Sequence, residues 1–224
     1  SCVGNGDGKS VEELPIMAWY SIPAEDASPE RYRELAECGF NINFSHLVRL
    51  KDLQASLDFA QQAGVKVMAT CAELETSPDS TVAAIKNHPA LYGYFLRDEP
   101  LPSAFPELAR WAAEVKEADG GKHPVYLNLL PNYVDSAALT CSYREYVRRF
   151  IDEVRLPLVS FDAYPVTFNG IRSEIWYENM QIIHDESLKA GLPFWAFALS
   201  TAHDPYPLPT MASLRLQMYT ALAY

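Results

Sequence analysis

The chain has 224 residues, 49% hydrophobic and 21% charged, a balance that suits one large globular domain. Its formal net charge of −11 argues against a nucleic-acid partner, because phosphate contacts need a basic surface. No run of about 18 or more uncharged apolar residues occurs, so the sequence offers no membrane-spanning helix.

The opening stretch "SCVGNGDGKS" is polar and glycine-rich, with a cysteine almost at its tip. It looks like a bacterial lipoprotein just after its signal peptide. On that reading Cys2 carries a lipid anchor and residues 1–14 form a flexible tether. The protein would then sit in the periplasm, or at the outer membrane or cell surface. A plain disordered chain start is the alternative. The four cysteines (Cys2, Cys38, Cys71, Cys141) are scattered, with no CxxC pair and no zinc-ligand spacing. Cys38 and Cys71 lie in apolar contexts and read as small core residues.

From residue 15 onward, strand-like runs alternate with helical patterns. The runs are "IMAWYS" from Ile16, "NINFSHL" from Asn41, "KVMATCA" from Lys66, "LYGYFLR" from Leu91, "PVYLNLL" from Pro124, "PLVSFDAY" from Pro157 and "PFWAFALS" from Pro193. The first four start 25 residues apart, the later ones 33, 33 and 36. Between them, "SPERYRELAECG" has Ser28 as N-cap, Pro29 at the first helical position and Gly39 as stop. "LKDLQASLDFAQQAG" carries Leu50, Leu53, Leu57 and Ala60 at helical spacing and ends at Gly64. Four more segments of the same grammar follow, and a last one runs to Tyr224.

Strand–helix alternation without hairpin signals predicts parallel strands joined by crossovers, an α/β fold. A doubly wound sheet needs a glycine-rich phosphate loop after its first strand, and "AWYSIPAEDASPE" contains no glycine. The expected fold is therefore a TIM-type (β/α)8 barrel over residues 15–224, binding no cofactor. Seven units are visible and an eighth strand is not. An open barrel leaves two unpaired strand edges, so a further barrel segment is expected from residues absent here or from another chain.

In such a barrel, functional groups gather at the carboxyl ends of the strands. Those ends supply Trp19 and Tyr20; Asn43, Ser45 and His46; Glu73; Arg97, Asp98 and Glu99; Asn128, Asn132 and Tyr133; Asp162 and Tyr164; and His203 and Asp204. The opposite ends, such as "QAGVK" and "KAGLP", are bland. Carboxylates and amides can bind sugar hydroxyls while aromatic faces cover pyranose C–H surfaces, so a carbohydrate substrate fits the mixture. Glycoside hydrolysis needs two carboxyl groups. Glu99 is the candidate proton donor, since an apolar strand end can raise its pKa, and Asp162 in "SFDAYP" is its candidate partner. Asp98, Trp19, Tyr20, Glu73, Asn128, Tyr164 and His203 are the expected substrate-binding residues. A metal site from Glu73, Asp98 and His46 has no motif spacing behind it.

The stretch "GYFLRDEP" resembles the fourth-strand motif of the large clan of retaining barrel glycoside hydrolases, in which Asn-Glu-Pro places the general acid/base. Together with "FDAYP" it is closer still to uncharacterised barrel hydrolase-like proteins, often lipoproteins, of gut-type bacteria. The resemblance implies Glu99 as acid/base, Asp98 in the place of the asparagine that binds the sugar's 2-hydroxyl, and Asp162 and Tyr164 as sixth-strand site residues. The clan carries its nucleophile, a glutamate, at the end of strand seven, where this sequence reads "FWAFALST". Three readings follow: Asp162 replaces the nucleophile, an eighth strand supplies an acid, or the protein binds glycan without cutting it.

Overall fold

The structure, a computed structural model, describes residues 13–224. Cys2 and most of the expected tether lie outside the described residues. Seven short parallel strands follow one another in sequence order, each crossing over through helix. They are β1 (Met17–Ala18), β2 (Ile42–Phe44), β3 (Lys66–Ala69), β4 (Leu91–Asp98), β5 (Val125–Asn128), β6 (Val159–Phe161) and, after a two-stranded insertion, β9 (Phe194–Ala196). β1 to β5 form one parallel sheet. A parallel bridge between Leu129 and Phe161 carries it on to the β6–β9 pair.

The crossover helices are α1 (Pro29–Glu37), α2 (Leu50–Ala63), α3 (Ala72–Thr76), α4 (Pro78–Ile85), α5 (Phe105–Asp119), α6 (Ser136–Leu139), α7 (Tyr143–Val154) and α8 (Ser173–Ala190), and α9 (Met211–Ala223) follows β9. Ser28 caps α1, its hydroxyl accepting from the Arg31 N–H at 3.3 Å, with Pro29 as the first helical residue. Gly64 ends α2 at φ 72°, a left-handed position that closes the last turn.

Two apolar layers follow from the period-two alternation of the strands. One face of each strand packs on the helices through residues such as Val67, Tyr94, Leu127 and Val159. The other builds an inner cluster of Ile42, Phe44, Met68, Phe95, Tyr126 and Leu158, flanked by Met17, Trp19, Tyr92 and Trp195. The sheet curls far enough for rings just past its first and last strands to meet, Trp19 and Phe197 lying 4.9 Å apart. This is an α/β fold with a curled parallel sheet, a partial TIM-type barrel. Among the described residues, β1 pairs only with β2 and β9 only with β6, leaving one edge of each without a strand neighbour.

Three expectations need correction. A hairpin does occur: β7 (Val166–Thr167) and β8 (Gly170–Ile171) pair antiparallel between β6 and α8. Its signal is the Asn169–Gly170 dipeptide, with Gly170 at φ 119°, a conformation other residues rarely adopt. The expected third helix is preceded by the separate short helix α3, broken from α4 at Ser77. Cys38 is exposed at the C-cap of α1, past the buried stripe of that helix, whereas Cys71 is buried as expected.

Candidate active site

The fourth strand does more than end on acids. Phe95 stands opposite Tyr126, and the next paired residue on β4 is Asp98, opposite Asn128. Three steps on β4 thus match two on β5, which is a one-residue bulge. Strict alternation would send Asp98 to the helix side with Tyr94 and Leu96, and Arg97 inward with Phe95. The bulge exchanges them. Arg97 reaches Glu75 at 3.5 Å and Glu107 at 3.7 Å, both on helices, while Asp98 turns to Asn128 in the mouth of the sheet.

Glu99 follows at φ 46°, in the left-handed region where a residue with a Cβ is strained by about 1–2 kcal/mol. Its backbone is held there by an N–H donated to the Asn128 carbonyl at 2.8 Å. Its carboxyl group is near enough to that of Asp162 for each to shift the other's protonation. The two acids expected to pair therefore belong to one electrostatic cluster.

Asn128 ties the acids together. Fully buried, it donates through Nδ2 to Asp98 Oδ1 at 3.2 Å and to Asp162 Oδ1 at 3.0 Å. Its Oδ1 accepts from the Ser160 hydroxyl at 3.1 Å, and Ser160 Oγ lies 2.9 Å from the Tyr126 hydroxyl. Tyr126 and Asn128 share one face of β5, and Ser160 and Asp162 one face at the end of β6, because each pair is two residues apart.

Crowding in the mouth raises the proton affinity of all three carboxyls. Asp98 and Glu99 keep one side open to water while protein crowds the other. Desolvation raises both, Asp98 adding to the rise at Glu99, and the hydrogen bonds they accept only partly offset it. Asp162, the more enclosed, is pushed up to about 8, first by desolvation and then by the Glu99 and Asp98 charges. Glu99 and Asp162 thus titrate as a unit that holds a proton near neutrality.

The remaining expected site residues divide. Tyr20, half exposed, stands over the mouth close enough for Asp98 and Glu99 to raise its phenol after desolvation does. Tyr164 is beside Asp162, its ring 6.0 Å from His203 and 5.2 Å from Tyr206. Trp19 belongs to the inner aromatic cluster, 4.5 Å from Phe44 and 5.4 Å from Phe95. Glu73 stands apart from the acids: its carboxylate accepts from the Leu50 N–H at 3.0 Å, capping α2, and pairs with Arg49 at 3.5 Å. Ser160 and Tyr206 were not among the expected residues. Ser160 was legible as the residue two before Asp162 on the same strand face. Tyr206, whose hydroxyl meets that of Tyr133 at 2.9 Å, carries no local sequence signal. Among the described residues no group of three or more His, Cys, Asp or Glu side chains is arranged to hold a metal ion.

No protein-family model matches the chain, and no curated protein sequence matches it. Solved structures do. A β-glucuronidase from Ruminococcus gnavus superposes with a TM-score of 0.58 at 15% identity over 87% of this chain and 37% of its own. The β-glucuronidase of Dictyoglomus thermophilum gives 0.54 at 16% identity over 86% and 36% of the two chains. That of Lactobacillus rhamnosus gives 0.54 at 16% identity over 94% and 40%. The chain thus spans well under half the length of these structures. At such identities the likeness defines the fold alone: this chain has the architecture of part of a TIM-type barrel.

Proposed function

We propose that the chain carries a glycoside-hydrolase site in which Glu99 and Asp162 work as an acid/base pair on an oligo- or polysaccharide. The observation behind this reading is the gathering of Asp98, Glu99 and Asp162 at the carboxyl ends of β4 and β6, tied together by Asn128, on a fold similar to that of β-glucuronidases. Cleaving a glycosidic bond needs a proton for the leaving oxygen and a base or nucleophile for the anomeric carbon. Two carboxyls that hold one proton between them near neutrality supply both. Glu99, open to the mouth, is the donor, and Asp162 takes the complementary role. Asp98, oriented from behind by the buried Asn128 amide, holds sugar hydroxyls, and Tyr20 and Tyr164 flank the ring. The spacing of the two carboxyls in the complex selects retention or inversion.

The test is hydrolysis of a panel of nitrophenyl glycosides, with a β-glucuronide included because the neighbouring structures are β-glucuronidases, one of them in complex with D-glucuronic acid. Glu99→Gln and Asp162→Asn should each lower turnover by about 10²–10⁴-fold, the usual worth of a general acid or base, with ligand binding retained. Turnover undiminished in both variants sinks the proposal.

A second reading is a non-catalytic glycan-binding barrel. It draws on Phe197, which stands just past β9, where the resemblance puts a nucleophile, and is packed against Trp19. Calorimetric binding of an oligosaccharide without cleavage would favour it. On either reading, Cys2 anchors the chain to the bacterial envelope, testable by labelled-lipid incorporation that Cys2→Ser abolishes. A further strand, from elsewhere in the polypeptide or from another chain, pairs with the free edges of β1 and β9.

A further inference from the structure

The hydrogen bonds behind the carboxyl pair run in one direction. The Ser160 hydroxyl has one proton, and it is donated to Asn128 Oδ1 at 3.1 Å. The Tyr126 hydroxyl, 2.9 Å from Ser160 Oγ, must then be the donor in that contact. Asn128, its carbonyl oxygen engaged from behind, presents both N–H bonds forward, to Asp98 Oδ1 and Asp162 Oδ1. Turning the amide over would aim its oxygen at two carboxylates and its NH₂ at a hydroxyl hydrogen. All three of Tyr126, Asn128 and Ser160 are buried to about 1% exposure or less, so no water can take over a missing partner.

We propose that Ser160 and Tyr126 are positioning residues: they lock the Asn128 amide so that it donates to Asp98 and Asp162, and so direct where the proton shared by Glu99 and Asp162 resides. This rests on reading Glu99 and Asp162 as the acid/base pair. An oxygen that accepts an N–H is a poor site for a proton, so the shared proton is kept off Asp162 Oδ1 and directed to the other oxygen of that carboxyl, from which it can pass to Glu99. The carboxylate of Asp98 accepts from the same amide, which opposes the rise that desolvation gives it. Neither Ser160 nor Tyr126 touches the mouth; they act through Asn128.

Other ionisable groups near the pair do not obscure the signal. From the neighbouring elements it is faced by the phenols of Tyr20, Tyr126, Tyr133, Tyr143, Tyr146 and Tyr164. Every one is raised by burial first, so they stay neutral across the acid and neutral range. The carboxyls Asp98, Glu99 and Asp162 alone among these groups titrate there.

The experiment is a ¹³C-carboxyl NMR titration of the full chain, without ligand, for the wild type, Ser160→Ala and Tyr126→Phe. A hydrogen bond to an ionised carboxylate lowers its pKa. Losing the locked donor should therefore move the Asp98 and Asp162 titrations upward, by about one pH unit in Ser160→Ala and by less in Tyr126→Phe. Where a glycoside is cleaved, the pH–rate profile should move the same way. Thermal unfolding confirms that each variant folds. If Ser160→Ala does not fold, Tyr126→Phe decides alone. Titrations unchanged in the folded variants overturn the proposal. Shifted titrations in a chain that cleaves no glycoside support the positioning role and sink the hydrolase reading instead.

Discussion

Asp98 stands opposite Asn128 because β4 carries one residue more than β5 between the Phe95–Tyr126 pair and their own. That extra residue puts Asp98 in the mouth and Arg97 outside, against Glu75 and Glu107. A mouth with Arg97 in it would neutralise the acids by ion pairing. The bulge keeps the guanidinium away and leaves three carboxyls of raised proton affinity together.

The approach of β4 to β5 depends on Gly93. A Cβ at that position would lie 2.5 Å from the Pro124 carbonyl oxygen, a backbone atom that cannot turn aside. Gly93→Ala should destabilise the fold by about 1–3 kcal/mol, the usual cost of overpacking. It should also loosen the Asp98–Asn128 contact downstream. Chemical denaturation measures the first effect; the carboxyl titration of Asp98 reads the second.

Glu99 is held at φ 46° by its place in the site, at a cost to stability. Glu99→Gly removes both the left-handed strain and a carboxyl that repels its neighbours. It should raise the midpoint of thermal unfolding by about 2–4 °C for each kcal/mol relieved in a chain of this size, while removing turnover. Glu99→Gln keeps the strain and should gain less. A glycine variant no more stable than the glutamine variant would show that the backbone there carries no strain.

Asp162 makes stability depend on pH with a defined sign. Its folded pKa, about 8, lies above its ordinary value of 3.8. The stability it contributes is complete below about 4 and is lost as pH rises toward 8, because the unfolded chain ionises there more readily than the folded one. Melting temperatures of the wild type should fall between pH 5 and 8. Asp162→Asn, which imitates the protonated acid, should flatten that slope and melt higher at pH 8. An unaltered slope would show that Asp162 ionises normally in the fold.

Glu186 acts in the opposite sense, far from the site. Burial alone would raise its carboxyl, but Arg144 at 2.7 Å, Lys189 at 3.0 Å and Arg148 at 3.3 Å outweigh it and bring it down to about 2. This stability is present above the ordinary value of 4.5 and is lost as pH falls through 2. Arg144 and Arg148 are partly exposed, so Glu186→Gln should cost about 2 kcal/mol at neutral pH, below the 3–5 kcal/mol of breaking a fully buried pair. The difference from the wild type should shrink between pH 4.5 and 2, as followed by denaturant unfolding.

Much was legible in the chain itself. The 25-residue spacing of apolar runs, the Ser28–Pro29 start of α1 and the Gly64 stop of α2 are local signals, and they describe a parallel α/β repeat with polar residues at one end. Asp98, Glu99, Asn128 and Asp162 could be read as strand-end residues for the same reason. What only the tertiary structure decided is how these residues face one another. A bulge is a mismatch between two strands, so neither strand alone reveals that Arg97 leaves the mouth and Asp98 enters it. Glu73 carries the same sequence credentials as Asp162, yet a backbone N–H of the neighbouring helix takes its carboxylate. Whether a strand-end acid caps a helix or shares a proton depends on which partner packing brings within about 3 Å. That partner lies on another element, 63 residues away for Glu99 and Asp162.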